Sequence, residues 1–396
     1  MHSARSLPKK EMHIGLDGLP LTEPKTGVGH YTFELARAIA RVEPGSAFEL
    51  LYPSNYPLIR FAADSAGNSL PENLKLKRAL VGPLGRYWWS NGLPRYVRRN
   101  KIELFHGTNY DVPLWRRCAT VLTIHDLSLL LHPETHRQRS VRRGRRRLPL
   151  MARTADAIIT PTESVRREVY EYLEIDKEKV FAVPEAARDC FHLLALADSE
   201  AARRRLGVGD NFILAVGTLE PRKNLTVLLT AFEQALHARS MEDFQLVIAG
   251  GHGWLSGPLL AAIEKSVARE RIILTDYLDD ENLRALYASC RAFVYPSLYE
   301  GFGLPPLEAM ACGAPVIASR IPALVETSGG AAWLFDPHDA GELTQQILDL
   351  LGDENSRQAL ARAGQRRASE FSWERTARAT WSVYEYALRR FDEKRG

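Results

Sequence analysis

The 396-residue sequence has only four cysteines, Cys118, Cys190, Cys290 and Cys312, and no two of them form a CxxC pair. That scarcity argues against a disulfide-stapled scaffold and against a thiolate metal or redox motif, so each is expected to be a small buried hydrophobe in a reducing compartment. No apolar run approaches the roughly 18 residues that span a bilayer. The opening segment MHSARSLPKKEM is polar and basic and leads into no uninterrupted apolar stretch, so it does not read as a secretory signal. A cytoplasmic protein is the expectation. Low-complexity tracts and short repeats are missing as well, which argues against fibrous and disordered classes.

What is present is a globular composition, with 45% hydrophobic and 25% charged residues, 27 Gly and 22 Pro. The length exceeds one ordinary core and predicts two domains of roughly 150–200 residues with a cleft between them. Charge is unevenly divided. Residues 1–150 hold 24 Lys and Arg against 12 Asp and Glu, a net +12 set against +4 for the whole chain, so the remainder is acidic. Most of the excess lies in Arg86–Lys101 (RYWWSNGLPRYVRRNK) and Arg137–Arg147 (RQRSVRRGRRR). The first half is therefore expected to meet something anionic.

Short β-branched runs alternate with segments of helical period through both halves. Those of the first half are His13–Leu16, Phe48–Leu51, Leu76–Val81, Leu104–Phe105, Val121–Ile124, Ala157–Ile159 and Val180–Val183. The second half has Phe212–Val216, Phe244–Ala249, Ile272–Leu274, Ala292–Tyr295, Pro315–Ala318 and Ala332–Phe335. Continuous apolar strands separated by helices predict parallel sheets covered on both faces, hence an α/β chain of two Rossmann-like, doubly wound domains facing a central cleft. The rhythm breaks between Pro184 and Asp210, which places a linker there. Residues 1–190 are read as the first domain and 208–375 as the second. The last helical pattern carries a stripe of Trp373, Ala377, Trp381, Tyr384 and Leu388 that must pack on something, and residues 376–396 are expected to return to the first domain.

Tyr295–Gly313, YPSLYEGFGLPPLEAMACG, reads as a strand end, a Gly-rich turn and a helix opening near Pro305 or Pro306, where a missing N–H costs nothing. The turn Gly301-Phe302-Gly303, followed by Leu304, leaves backbone N–H groups at a helix N-terminus, suited to a phosphate or a sugar hydroxyl. Such a turn can also be mere punctuation. Two carboxylates flank it, Glu300 where a strand-end side chain projects into a cleft, and Glu308 on a helix that is otherwise apolar and therefore in need of a partner. Gly217–Asn224, GTLEPRKN, follows the first strand of the second half and puts Arg222 and Lys223 at a helix start, where fixed positive charge can meet a diphosphate. In the first half, TGVGHYT places Gly27 and Gly29 in a loop where the main chain can approach a ligand. His125 and Asp126 end a strongly apolar strand, and His106, Thr108 and Asn109 end the one before it. These are positions that face a cleft in open sheets.

The run EGFGLPPLEAMA, with glutamates eight positions apart, resembles the signature of glycosyltransferase family 4. The resemblance implies the GT-B architecture and a nucleotide-diphosphate sugar as donor. It implies that Glu308 bonds the ribose hydroxyls, that Glu300 and the backbone after it hold the donor sugar, and that Arg222 and Lys223 stabilise the leaving phosphates. Gly27 and Gly29 would lie beside donor phosphates and acceptor. His125, in the HDL spelling, would lie near donor sugar and acceptor, with Asp126, Thr108 and Asn109 on the acceptor side. The segment holding Tyr277 and Leu278 would meet the nucleobase.

No aspartate is followed two positions later by another, so the Asp-x-Asp metal motif of the other common architecture is missing, and no metal or other cofactor is expected. Retention of anomeric configuration is implied, with the charge of the departing diphosphate met by Arg222, Lys223 and helix N-termini. Glu300 and Glu308 are not read as a double-displacement pair. GLDGLPLT, TGVGHYT, HDLS and GTLEPRKN together resemble bacterial mannosyltransferase-like enzymes of surface polysaccharide assembly. That favours GDP-mannose as donor and a glycan or lipid-linked glycan as acceptor. The basic first half, with Trp88, Trp89 and Tyr96, suits peripheral contact with the inner face of a membrane, or else a solvated basic face. The arginine run lacks interleaved aromatics, so no nucleic acid is expected. The rival readings are a nucleotide-sugar epimerase of the same architecture and a non-catalytic nucleotide-sugar-binding module.

Overall fold

The structure, a computed structural model, describes residues 11–21, 27–56, 70–81, 87–238, 241 and 243–395. The first ten residues, Thr26 at the head of TGVGHYT, and Arg86 in the first basic stretch lie outside the described residues. The apolar runs of the first half become β1 (His13–Asp17), β2 (Ala47–Pro53), β3 (Leu74–Ala79), β4 (Leu104–Gly107), β5 (Ala119–Thr123), β6 (Ala157–Thr160) and β7 (Val180–Ala182). Those of the second half become β8 (Phe212–Val216), β9 (Gln245–Ala249), β10 (Ile272–Leu274), β11 (Ala292–Tyr295), β12 (Val316–Ser319) and β13 (Trp333–Phe335).

Both sheets are parallel, in the orders β3-β2-β1-β4-β5-β6-β7 and β10-β9-β8-β11-β12-β13. The strand order reverses between β1 and β4 in one sheet and between β8 and β11 in the other. An open parallel sheet gathers ligands at the carboxyl ends of strands at such a switch point. TGVGHYT follows β1 and residues 106–109 end β4 at the first switch point, GTLEPRKN and the EGFG turn follow β8 and β11 at the second, and His125-Asp126 follows β5, one strand further along.

The first sheet is covered by α1 (Gly27–Val42), α2 (Leu93–Arg99), α3 (Ser128–Leu131), α4 (Gln138–Thr154) and α5 (Glu163–Tyr172). The helix α6 (Leu196–Arg205) follows the crossing between halves. The second sheet carries α7 (Leu225–Ala235), α8 (Gly257–Lys265), α9 (Asp280–Ser289), α10 (Leu304–Ala311), α11 (Pro322–Ser328), α12 (Ala340–Gly352) and α13 (Glu354–Ser369). The last helix, α14 (Trp373–Glu393), lies against α1 and the first sheet. Its Trp373, Ala377, Trp381, Tyr384, Ala387 and Phe391 share one core with Ile14, Leu16, Tyr31 and Phe48, so the end of the chain locks onto its beginning.

Two expectations are corrected. α1 begins at Gly27, so Gly27 and Gly29 form the first turn of a helix and not a loop before it. Glycine is tolerated there because the first-turn N–H groups have no intrahelical partner to lose. Trp88 is buried among Leu51, Leu93 and Phe105, Trp89 packs edge-on to Phe105, and the Tyr96 hydroxyl donates to Glu49 at 3.0 Å. These rings serve the core of the first domain and not its surface.

Candidate functional site

The turn after β8 brings two cations and two carboxylates together. Pro221–Lys223 form one 3-10 turn before α7, which turns the Arg222 and Lys223 side chains toward the end of β11. Lys223 Nζ donates to Glu300 Oε1 at 2.6 Å and to the Tyr295 hydroxyl at 2.7 Å. Arg222 lies 3.0 Å from Glu300 Oε2 and 2.8 Å from Glu220 Oε1, and donates to the Tyr299 carbonyl at 2.9 Å. Its Nε–H is buried without an acceptor. Burial would raise the Glu300 carboxyl, but Arg222 and Lys223 outweigh it and hold the group at about 2. Burial pulls the Lys223 ammonium down while Glu300 opposes it. Glu300 is therefore the ionised counter-ion that bridges a buried cation pair.

After Glu300 the chain turns through Gly301, Phe302 and Gly303 into α10. A Cβ on Gly301 would collide with the His125 carbonyl oxygen of the opposite domain. Gly303 has φ +97° and caps α10, whose first residue is Leu304, and the Phe302 ring is buried. The two domains also meet where Thr162 Oγ1 donates to the Gly301 carbonyl at 2.8 Å and the Tyr299 hydroxyl meets the Leu127 amide at 3.0 Å.

Glu308, one turn into α10, is buried, and burial raises its carboxyl against the pull of Arg188. The partner that an apolar helix demanded for it is Arg188, whose Nε donates to Glu308 Oε1 at 3.0 Å. The same guanidinium reaches Asp280 at 2.7 Å and His30 Nδ1 at 3.2 Å. Arg188 belongs to the crossing between the domains, so a single side chain ties α1, α9 and α10 together.

On the first domain, His125 Nε2–H donates to the Thr108 carbonyl at 2.8 Å, and Nδ1 faces Glu185 at 3.4 Å. Tyr31 packs edge-on to the same ring at 4.8 Å. Thr108 has no exposed surface, and its hydroxyl bonds Thr32 and the Asp17 carbonyl, so it holds His125 and does not face the cleft. Asp126 accepts from the Ser128 amide at 2.9 Å and hydroxyl at 2.7 Å, closing the turn into α3. Asn109 is half-buried at the end of β4. His106 lies in the core between the Tyr384 and Thr123 hydroxyls, both at 2.8 Å, and burial lowers it to about 3, so it is neutral. Gly27 is exposed at the mouth of α1, Gly29 is buried, and Leu278 is half-buried in the loop before α9. Sequence reasoning missed Arg188, Glu185, Glu220, Asp280 and Tyr295 as members of these clusters.

Asp17, at the end of β1, is 2% exposed and accepts one amide, from Leu19 at 3.1 Å. Burial, and to a lesser degree Asp111, pushes its carboxyl up to about 8 from the ordinary 3.8, against the lowering effect of the Leu19 amide. Between those values the folded chain binds a proton that the unfolded chain lacks, so stability falls as pH rises through this window. Asp17→Asn mimics the neutral acid. It is expected to raise the Tm at about pH 8.5 and to leave it nearly unchanged near pH 4, and equal shifts in thermal melts at both values would contradict the buried neutral carboxyl.

Comparison with known proteins gives two matches in tandem. Residues 25–187 match the family described as Glycosyltransferase Family 4, and residues 198–367 match Glycosyl transferases group 1. The chain is 30% identical over 379 residues to the O-antigen chain mannosyltransferase B of Escherichia coli, covering 92% of this chain and 97% of that one. Among solved structures it resembles the sucrose-phosphate synthase of Thermosynechococcus elongatus, with TM-score 0.75, 23% identity and coverage of 95% and 98%. It also resembles Anabaena HepE in complex with UDP and glucose, with TM-score 0.72, 19% identity and coverage of 95% and 100%.

Proposed function

The chain belongs to glycosyltransferase family 4, and from that membership we propose that it is a retaining, metal-independent hexosyltransferase acting on a glycan or lipid-linked glycan in the assembly of a cell-surface polysaccharide. GDP-mannose is the favoured donor. The observation that carries the reading is the buried cluster of Arg222, Lys223 and Glu300, with distances of 2.6 and 3.0 Å. An enclosed cation pair bridged by one carboxylate, Glu300, with Glu220 on the Arg222 side, suits a leaving diphosphate, because low local polarity strengthens every charge interaction there. The mannosyltransferase name of the E. coli relative supports the sugar.

In this mechanism the bond between the anomeric carbon and the β-phosphate oxygen breaks while the acceptor hydroxyl oxygen takes its place on the same face. The hydroxyl proton passes to the departing phosphate oxygen. Arg222, Lys223 and the N-terminus of α10 receive the growing negative charge, which replaces the role a divalent ion would play. Glu308 holds the ribose, and Glu300, as the phosphates arrive, shifts from counter-ion to sugar ligand. His125, fixed by Thr108 and Glu185, borders the acceptor. No helix among the described residues is long and apolar enough to cross a membrane. The exposed arginines of α4 suit an anionic bilayer surface.

The test is a thermal-shift panel of GDP-, UDP-, ADP- and dTDP-sugars followed by transfer assays with and without chelator. A ligand that binds only the folded state raises Tm by mass action. GDP-mannose is expected to give the largest shift, with turnover unchanged by chelation. Turnover that vanishes with chelator and returns with magnesium or manganese would overturn the metal-independent mechanism, and binding without transfer to any acceptor would leave a binding module.

A further inference from the structure

One buried cation, Arg188, stands outside the diphosphate cluster and has no part in the transfer step described above. It follows β7 in a turn closed by the Phe191 amide, which donates to the Arg188 carbonyl at 2.9 Å. The turn folds the side chain back over the Phe191 ring, 4.5 Å from its centroid, and leaves the residue 7% exposed. From there Nε donates to Glu308 Oε1 at 3.0 Å, and Nη1 donates to Asp280 at 2.7 Å and to His30 Nδ1 at 3.2 Å. A guanidinium only donates, so His30 presents an unprotonated Nδ1 to it. Partners on α1, α9 and α10 thus fix the planar fork in one orientation.

The neighbours of the Glu308 carboxyl show what the fork does. Asp280 and Tyr287 face it from α9, Cys312 from just past α10, and Cys190 from the domain crossing. Across the boundary, α1 brings His30 to Arg188 and Glu34 toward Cys190. Burial keeps the Tyr287 phenol and both thiols protonated, with Cys190 pushed up to about 12. Arg284 of α9 turns away, to the Cys190 carbonyl at 3.3 Å and His192 at 3.0 Å. Among the described residues, Arg188 is the one cation within ion-pair distance of Glu308. Burial, and to a lesser degree Asp280, pushes this carboxyl toward its neutral form, and a single guanidinium opposes both. The same bond divides the two oxygens. Oε1 is occupied, whereas Oε2 accepts no hydrogen bond among the described residues, and the side chain keeps 7% of its surface. An ionised oxygen accepts roughly twice as strongly as a neutral one, which suits hydroxyl donors.

We infer that Arg188 is the positioning residue of the ribose subsite: it fixes Glu308 by Oε1 as an anion and leaves Oε2 to accept from the ribose hydroxyls. Nucleotide affinity then depends on a side chain that does not touch the nucleotide. The inference rests on the nucleotide-sugar reading and deepens it.

The experiment measures the dissociation constant of GDP-mannose, and of UDP-glucose beside it, by titration calorimetry on the full chain without acceptor, at about pH 8 and about pH 6. The diphosphate of a nucleotide sugar stays ionised over that range, so the pH dependence belongs to the protein. Each variant is expressed as a ratio to wild type at the same pH. Arg188→Gln removes the charge. It is expected to weaken binding about threefold at the higher pH and about tenfold at the lower, where the unopposed carboxyl takes up a proton and behaves as the Glu308→Gln amide does. Arg188→Lys keeps a charge in place but cannot span three partners, and its smaller loss is expected to be the same at both pH values. In the Glu308→Gln background, Arg188→Gln is expected to add less than about threefold at either pH. That arm also separates out His30, whose titration would persist without a carboxylate at 308.

A loss in Arg188→Gln that is equal at both pH values marks a merely structural arginine and overturns the inference. So does an Arg188→Lys variant that copies the glutamine one. If Arg188→Gln alone does not fold, the double variant leaves no carboxylate at 308 without its cation, and a further loss of about threefold or more beyond Glu308→Gln is the overturning result. These outcomes leave the donor reading standing. Failure of the wild type to bind any nucleotide sugar removes that reading, and this inference with it.

Discussion

Lys223→Ala is expected to lower kcat by on the order of 10²- to 10³-fold, the usual cost of removing one preorganised donor from the place where transition-state charge develops. The ammonium is held by Glu300 at 2.6 Å and Tyr295 at 2.7 Å, so its position is set before any donor arrives. Three N–H donors belong to an ammonium, and two are engaged here, which leaves one for a phosphate oxygen. Because the charge on the diphosphate grows only as the anomeric bond breaks, the loss falls mainly on kcat and less on donor KM. The fold tolerates the change. Glu300 keeps Arg222 at 3.0 Å, so no carboxylate is left buried alone. Lys223→Arg is not expected to rescue, since a planar fork cannot occupy a site built for a point charge under the Tyr295 hydroxyl. The check is steady-state kinetics beside thermal melts. A Lys223→Ala enzyme that turns over at near wild-type rate with an unchanged melt would remove the cation pair from the mechanism.

The sheets were legible because the central strands are continuous apolar runs, the mark of a parallel strand buried on both faces, whereas the edge strand β3, with Lys75, Lys77 and Arg78, starts two residues before the run Leu76–Val81. Thus the run Phe212–Val216 matches β8 to the residue, and Leu104–Phe105, called as two residues, lengthens to the four of β4 because His106 and Gly107 extend the ladder. The cation–carboxylate cluster of the candidate site was legible where it is local. Glu300, Arg222 and Lys223 each lie within a few residues of a strand end, so the motif carries its own geometry. What could not be read is what pairs across the chain. Arg188 and Glu308 are 120 positions apart, and Glu185 meets His125 across 60, with both Arg188 and Glu185 in the segment where strand and helix periodicity lapse. The only signal for Arg188 was indirect: a carboxylate on an apolar helix must find a cation. The Trp88-Trp89 pair misled for the opposite reason. A basic, aromatic surface and a core cluster rimmed by arginines have the same composition, and only the sheet beneath them distinguishes the two.

Glu308→Gln is expected to raise donor KM by about 10-fold and Glu308→Ala by up to about 100-fold, corresponding to the ~1.5–3 kcal/mol of a hydrogen bond to a charged group. Kcat should change less than about threefold, because the ribose stands away from the breaking bond and is held alike in ground and transition states. The geometry explains why the two substitutions differ. Glu308 already accepts from Arg188 at 3.0 Å, and the same guanidinium spans to Asp280 at 2.7 Å. An amide keeps the acceptor oxygen and the shape, so the tie from the domain crossing to α10 survives. Alanine leaves Arg188 with Asp280 alone, and part of its effect will appear as a lower Tm, since removing one member of a buried pair is strongly destabilising. The glutamine variant therefore isolates the ribose contact, and the nucleoside diphosphate itself serves as a second probe: its inhibition constant should rise in step with donor KM. A Glu308→Gln enzyme that loses kcat at constant KM would place this carboxylate at the chemistry and not at the ribose, and would exchange the roles assigned to Glu308 and Glu300.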